Sequence, residues 1–274
     1  MKLQLLGTAS AEGMPGLFCR CNTCERARIA GGRNIRTRAS ALIDDRLKID
    51  FPPDIFMQAQ QHRLDLARIE AVLFTHGHDD HFSPAELQYR GRYFVEPAIT
   101  RPLSLFGPPD VIEALRCALD PELVAYTLTT VMADRPAPVL DYYLFPFVAN
   151  HDDSRICFNY MLTGPDGRKL LYASDTGWYP EATWGILERM RFDGALVECT
   201  KRDEGGYAGH MSIPEVIRMR QRLADTGALP AGAPMVATHF CHHMGMLHEE
   251  LRSALEPHGI TAGYDGLTLE IGRL

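Results

Sequence analysis

No stretch of the 274-residue chain approaches the roughly 18 consecutive apolar residues of a membrane-crossing helix, so no transmembrane span is expected. The amino terminus, Met1-Lys2-Leu3-Gln4-Leu5-Leu6-Gly7, is strand-like. Its apolar run is too short for a signal peptide, and no small-residue cleavage site follows. Positive charge is not in excess either. A formal net charge of -7 argues against a general polyanion binder, whose affinity comes mainly from clustered Lys and Arg, and a short basic cluster such as Arg33 to Arg38 reads as a solvated loop. Cysteines are few and odd in number, seven in all, with three crowded at Cys19, Cys21 and Cys24. That count disfavours a secreted disulfide scaffold and fits a reducing cytoplasm with a metal site. No low-complexity linker and no repeat divides the chain, so one domain over 1–274 is expected. At 46% hydrophobic and 23% charged residues, it can bury a sizeable core.

What the chain does have is Thr75-His76-Gly77-His78-Asp79-Asp80-His81, directly after the apolar run Ala71-Val72-Leu73-Phe74. The run reads as a buried strand. Imidazole and carboxylate are ligands that zinc, manganese and iron accept. His76 and His78, two apart, face one point in an extended turn, while Asp80 and His81, offset in phase, reach a second. Such a turn suits a two-metal hydrolytic site with ions about 3.5–4 Å apart. The bland alternative, a polar surface turn, leaves the density of ligands after a core strand unexplained.

Strands are predicted at 2–6, 39–43, 47–50, 71–75, 103–106, 142–149, 158–163, 169–174, 194–198, 235–238 and 267–271. Helices are predicted at 54–65, 83–92, 109–119, 180–190, 213–224 and 246–255. Asp44-Asp45 and Pro165-Asp166-Gly167 read as hairpin turns. Ser83 with Pro84 and Glu86, and Ser212 with Pro214 and Glu215, read as capped helix starts. The segment 127–138 is the least patterned and is expected to be a loop. Early strands joined by hairpins and later ones alternating with helices imply an α/β layered fold with two mixed sheets flanked by helices.

Partners for the histidine-rich turn must come from other strand ends. His151, Asp175 and His239 each follow an apolar segment, and sites in layered α/β folds gather at the carboxyl ends of strands. Singly each is weak; the repetition carries the inference.

With H-x-H-x-D-H at His76, His78, Asp80 and His81, then His151, Ser174-Asp175-Thr176 and His239, the sequence resembles the metallo-β-lactamase superfamily. The resemblance implies an αβ/βα sandwich. It also implies one metal on His76, His78 and His151, a second on Asp80, His81 and His239, and Asp175 bridging the two. A narrower likeness rests on Leu6-Gly7-Thr8, Gly13-Met14-Pro15, Cys19-Arg20-Cys21-Asn22-Thr23-Cys24, Thr238-His239-Phe240-Cys241-His242 and Gly263-Tyr264-Asp265-Gly266. These resemble the PhnP-type cyclic-phosphate phosphodiesterases, in which such residues hold a structural zinc. Carried over, its ligands are Cys19, Cys21, Cys24 and His242, a closed tetrahedral set, with Cys241 in place of one ligand and a set of plain reduced thiols as alternatives.

His210, before a capped helix, matches a histidine that faces the leaving group or an equatorial oxygen in those phosphodiesterases. The implied activity is metal-dependent hydrolysis of a small phosphodiester, cyclic or linear, by a water shared between two ions (zinc, manganese or iron), with Asp175 and His210 catalytic. Asp79 is expected to cap or orient the turn. His62, His243, His248 and His258 are expected to be structural or solvent-facing. Phe51-Pro52-Pro53, Arg92 to Pro97 and Lys201 to Tyr207 are candidates for shaping the pocket, and Trp178 and Tyr179 for stacking or packing. The partner is a small molecule, with no membrane and no nucleic acid, and relatives suggest a homodimer. Three alternatives stay open: a ribonuclease Z-like nuclease, for which no basic arm is present; a lactone or thioester hydrolase; and a non-catalytic metal-binding module.

Overall fold

Successive side chains along a strand point to opposite faces, so a strand that is apolar throughout must be covered on both. Leu170-Leu171-Tyr172-Ala173 is such a run. In the computed structural model, which describes residues 1–272, Leu170 and Tyr172 face a second sheet while Leu171 and Ala173 face helices.

In chain order the first half comprises β1 (Lys2–Gly7), α1 (Asn22–Ala30), β2 (Ser40–Ile43), β3 (Leu47–Ile49), α2 (Ile55–His62), β4 (Ala71–Leu73), β5 (Leu103–Gly107), α3 (Pro109–Ala118), β6 (Tyr126–Thr130) and β7 (Ala137–Val139). The rest comprises β8 (Tyr142–Val148), β9 (Phe158–Thr163), β10 (Lys169–Ala173), α4 (Glu181–Leu187), β11 (Gly194–Glu198), α5 (Ile213–Asp225), β12 (Met235–Thr238), α6 (His248–Leu255), β13 (Thr261–Ala262) and β14 (Thr268–Glu270). One seven-stranded sheet runs β14-β1-β2-β3-β4-β5-β6 and the other β13-β12-β11-β10-β9-β8-β7. Both are mixed: β3 to β6 and β10 to β13 pair in parallel, the remaining neighbours antiparallel.

The central core lies between the sheets, where Leu3, Ile43, Ile49 and Leu73 meet Leu144, Tyr160, Tyr172 and Leu196. Outside the first sheet, Val72, Phe74 and Leu105 pack on Ile55 of α2 and Leu115 of α3. Outside the second, Leu171 and Val197 pack with Trp184 of α4, Val216 of α5 and Leu251 of α6. Burying each such side chain contributes roughly 1.5–3 kcal/mol. The result is the expected αβ/βα sandwich.

Local expectations fail in four places. The expected loop at 127–138 contains most of β6 and most of β7. β6 is an edge strand, and most of its residues are at least partly exposed, so it lacks the apolar run that marks a buried strand. Helix α1 has little apolar face; its start is capped by Cys21, whose sulfur accepts from the Cys24 N–H. The segment Pro84–Arg90 winds as a 3₁₀ helix and Ser83 makes no side-chain cap. The strand β13 is only two residues long. By contrast Ser212 and Glu215 form the full reciprocal cap expected of α5.

Candidate metal centre and active site

Every expected ligand of the histidine–aspartate cluster follows a strand, and all arrive at one end of the sandwich. The turn 75–81 follows β4, His151 follows β8, Asp175 follows β10 and His239 follows β12. Asp50, Asp175 and His239 take left-handed backbone conformations, with φ of 57°, 53° and 59°. Non-glycine residues adopt that region rarely and usually where the surroundings force it. Here it lies just beyond β3, β10 and β12 in turn. Close approach matters as well: a side chain at Gly209 would collide with the His151 carbonyl and the Tyr207 ring, so only glycine lets the His210 segment lie against His151.

Hydrogen bonding assigns the imidazole tautomers. Nδ1 of His76 donates to Thr75 Oγ1 (2.9 Å), Nε2 of His78 to Asp152 (3.0 Å) and Nδ1 of His151 to the Gly209 carbonyl (3.0 Å). Nδ1 of His81 donates to Asp50 (2.7 Å) and Nδ1 of His239 to Thr200 Oγ1 (2.9 Å). A neutral imidazole that donates from one nitrogen carries a bare lone pair on the other. The five lone pairs all turn inward. His76 Nε2 lies 3.0 Å from His78 Nδ1, which lies 3.1 Å from His151 Nε2. Three lone pairs converging at that range repel unless something positive sits among them. Nε2 of His81 and of His239 are buried without any hydrogen-bond partner among the described residues.

The carboxylates make the same demand. Asp80 and Asp175 are 6% and 2% exposed. Asp175 stands between two groups: Oδ2 is 3.2 Å from His81, 3.7 Å from His151 and 3.8 Å from His76, and Oδ1 is 3.1 Å from His239. Asp80 lies 3.2 Å from His81 and 3.5 Å from His239. Buried carboxylates without cationic partners are costly. Burial pushes the Asp175 and Asp80 carboxyls up, yet the surrounding histidines hold both well below the usual range. His81 is the counterpart: burial lowers it, but Asp175, Asp80 and Asp50 raise it well above an ordinary histidine. These donors form two groups fit for divalent cations, His76 with His78 and His151, and Asp80 with His81, Asp175 and His239.

A separate set joins Cys19, Cys21, Cys24 and His242, their ligand atoms all within 4.8 Å of one another. His242 Nδ1 is 3.7 Å from the Cys19 sulfur and 3.5 Å from that of Cys21. All three thiols are free. The Cys24 N–H draws Cys21 down to about 6, whereas burial pushes Cys24 up to about 12. The donor set fits a closed tetrahedral zinc site. Cys241, the alternative ligand, instead turns toward Glu12.

A cavity of about 570 Å³ opens over the histidine cluster, lined among others by Glu12, Arg38, Asp79, Tyr207 and His210. His210 Nδ1 donates to Glu198 at 2.7 Å, which leaves Nε2 for the cavity. Its ring stacks on His239 at 5.4 Å and lies 4.8 Å from His151. Burial lowers His210, but the charge and hydrogen bond of Glu198 outweigh it and raise the group to about 9.

Three supporting residues, Asp152, Glu198 and Thr200, escape the sequence reading, and a fourth, Asp50, enters it only as the end of the strand at 47–50 and not as a partner of His81. Each sits just after, or at the end of, a strand that carries or adjoins a ligand, which was the available signal. Other expectations need correction. Asp79 makes no side-chain hydrogen bond among the described residues and lines the cavity instead of capping the turn. Arg92 to Pro97 lies away from the cavity, with Phe94 and Val95 bordering apolar clefts beside Phe51 and Tyr89. From the Phe51-Pro52-Pro53 segment only Pro53 reaches the cavity. Lys201 is drawn onto its own loop, donating to the Tyr207 carbonyl. For Trp178 and Tyr179 the packing alternative holds: Tyr179 is buried and donates to Asn159, and Trp178 packs on Trp184. His248 is structural as expected, buried 3.1 Å from Arg36. No helix among the described residues is long and apolar enough to cross a membrane.

Paired mixed sheets with a histidine–aspartate cluster at one end define a metallohydrolase fold. The chain belongs to the β-lactamase superfamily: the family model for the "Beta-lactamase superfamily domain" matches residues 45–240. A diphosphatase of the PhnP family is similar in structure, with TM-score 0.77 and 22% identity over 98% of this chain and 97% of that one. Zinc-bound PqqB from Methylobacterium extorquens has TM-score 0.75 and 21% identity over 98% and 100%. The short form of human tRNase Z has TM-score 0.65 and 16% identity over 99% of each chain. At these identities the likeness shows the fold alone. Among curated proteins, an octanoyltransferase of Porphyromonas gingivalis is 27% identical over 290 residues, covering 97% of this chain and 51% of that protein. The chain therefore spans about half the length of this curated relative.

Proposed function

We propose that the chain is a dinuclear metal-dependent phosphodiesterase acting on a small phosphodiester. The observation that carries this reading is the His210–Glu198 pair, a proton-bearing imidazole at the rim of a cluster whose other imidazoles offer lone pairs. His76, His78 and His151 would hold one ion, Asp80, His81 and His239 a second, and Asp175 would touch both; Cys19, Cys21, Cys24 and His242 would hold a structural zinc. Divalent ions supply Lewis-acid polarisation of a phosphoryl oxygen and lower the pKa of water toward neutrality.

The chain's own residues do the rest. Asp50, Asp152 and Thr200 fix ring orientation and tautomer, so the donor set is organised before substrate arrives. His210 directs Nε2–H toward the departing oxygen and donates its proton as the P–O bond breaks, while Glu198 stabilises the imidazolium and holds the ring. The acidic groups at the rim, Glu12 and Asp79, favour a small substrate over a ribonuclease Z-like role. A cytoplasmic location agrees with the reduced thiols.

A second reading is thioester hydrolysis at the same centre, favoured by the acyl-transferring name of the P. gingivalis relative. Metal-loaded protein assayed on bis-(p-nitrophenyl) phosphate, a lactone and an octanoyl thioester separates the readings. Diester cleavage is expected. Activity on the thioester or lactone alone would overturn the choice, and inactivity on all three would favour a binding module.

A further inference from the structure

We infer that Arg38 is the specificity contact of the cavity, reading a second anionic group on the substrate beyond the bond that is cleaved. This rests on the phosphodiesterase reading above and adds the substrate's charge pattern to it.

Arg38 is the one lysine or arginine among the cavity-lining residues. Its guanidinium is clamped on two sides: Nε donates to the Ala11 carbonyl at 2.8 Å and Nη1 to Asp54 Oδ1 at 2.9 Å. The Arg38 backbone N–H also donates to Asp54, at Oδ2 and 2.8 Å, so the same carboxylate fixes both ends of the residue. Among the described residues no acceptor meets Nη2, and this nitrogen is not among the sealed, unpaired polar atoms. Two N–H bonds therefore remain for a ligand on a side chain that is only 17% exposed.

A guanidinium held in this way has already lost its rotamer freedom, so binding an anion incurs little further ordering. The Glu12 carboxylate on the same cavity wall is engaged elsewhere: it accepts from Ser10 Oγ at 2.7 Å and faces the Cys241 thiol. With Glu12 and Asp79 both on the rim, a single arginine suits one additional anionic group and not a long polyanion. The matching substrate is a diester whose retained alcohol carries a carboxylate or a phosphate.

The test uses the full-length, metal-loaded chain and four p-nitrophenyl phosphodiesters that share a four-carbon tail ending in methyl, carboxylate, phosphate or amine. The wild type is expected to favour an anionic tail over the methyl tail by at least about tenfold in kcat/KM, chiefly through KM, and to disfavour the amine. The carboxylate and phosphate arms identify which anion is read. In Arg38→Met that ratio should fall toward one, and Arg38→Lys should recover part of it. A purely structural pin between Ala11 and α2 would lower all four rates together and leave the ratio intact, which would overturn the inference, as would equal rates across tails in the wild type.

Calorimetric binding of the corresponding alkyl monophosphates to wild type and Arg38→Met gives a readout free of turnover. Tail-dependent binding without diester cleavage would uphold Arg38 and sink the phosphodiesterase reading. Cleavage without tail dependence would do the reverse, and neither binding nor cleavage would remove both.

Discussion

Replacing Glu198 by glutamine tests the centre without changing its shape. The carboxylate is fully buried and accepts four hydrogen bonds: from Thr176 N (3.0 Å) and His210 Nδ1 (2.7 Å) at one oxygen, and from Thr200 N (2.9 Å) and Thr200 Oγ1 (2.7 Å) at the other. An amide can satisfy only one side. The cheaper orientation keeps oxygen toward His210 and Thr176, because the Thr200 hydroxyl can turn to the His239 carbonyl 3.0 Å away. That still sets the amide N–H₂ against the Thr200 N–H and removes the charge assistance at His210. A buried unpaired donor costs about 1–3 kcal/mol, and the lost charge assistance adds about 1 kcal/mol, giving roughly 2–4 kcal/mol in all. For a chain of this size that is a fall in Tm of roughly 3–7 °C. Without a stabilised imidazolium, kcat on bis-(p-nitrophenyl) phosphate should drop by about 10²–10⁴, the usual worth of positioned acid catalysis. Thermal unfolding and steady-state kinetics, with metal content measured on both proteins, decide it. Wild-type turnover in E198Q with normal metal content would refute the acid role of His210, and an unchanged Tm would refute the four-donor environment.

Three further outcomes are expected. Asp175→Ala, which deletes the group lying between both histidine sets, should reduce turnover at least about 10³-fold and lower the ion count at the centre while circular dichroism stays native; unchanged activity would reject the assignment. Elemental analysis of protein prepared without added metal should find about three ions per chain, and Cys24→Ser should lose one of them, as zinc, together with thermal stability; full retention of zinc would remove the cysteine site. Lys48 is fully buried, its ammonium donating to the Ile49 and Asp50 carbonyls, and burial lowers it to about 7. Between pH 7 and about 10.5 the unfolded chain binds a proton that the folded chain does not, so this residue makes stability rise with pH across that window, by up to about 1.4 kcal/mol per pH unit. Urea unfolding from pH 7 to 9 should show that rise in the wild type and a flatter profile in Lys48→Met; parallel profiles would show that the amine stays charged.

Much of the centre was legible because its chemistry is local. The turn 75–81 carries four donors after a four-residue apolar run, and a strand must end where polar backbone meets solvent, so that turn had to sit at a sheet edge. His151, Asp175 and His239 were found by the same rule. Buried strands announce themselves through continuous hydrophobicity, and α5 through a capping box written in adjacent residues. The edge strand β6 carried no such signal, because its pairing with β5 is made by backbone groups whatever the side chains are.

Tertiary structure alone decided the rest. Nothing in the spacing of Asp50, Asp152, Glu198 and Thr200 reveals that each accepts from a histidine dozens of residues away, or from His210 twelve residues on. Those contacts arise because two sheets bring their strand ends to one edge, and they set which nitrogen of each ring is bare. The same convergence put Arg38, in sequence one member of a basic cluster, on the cavity wall beside the turn. Donor types are properties of residues and can be read along a chain; tautomers, lone-pair directions and cavity walls are properties of neighbours, and those exist only after folding.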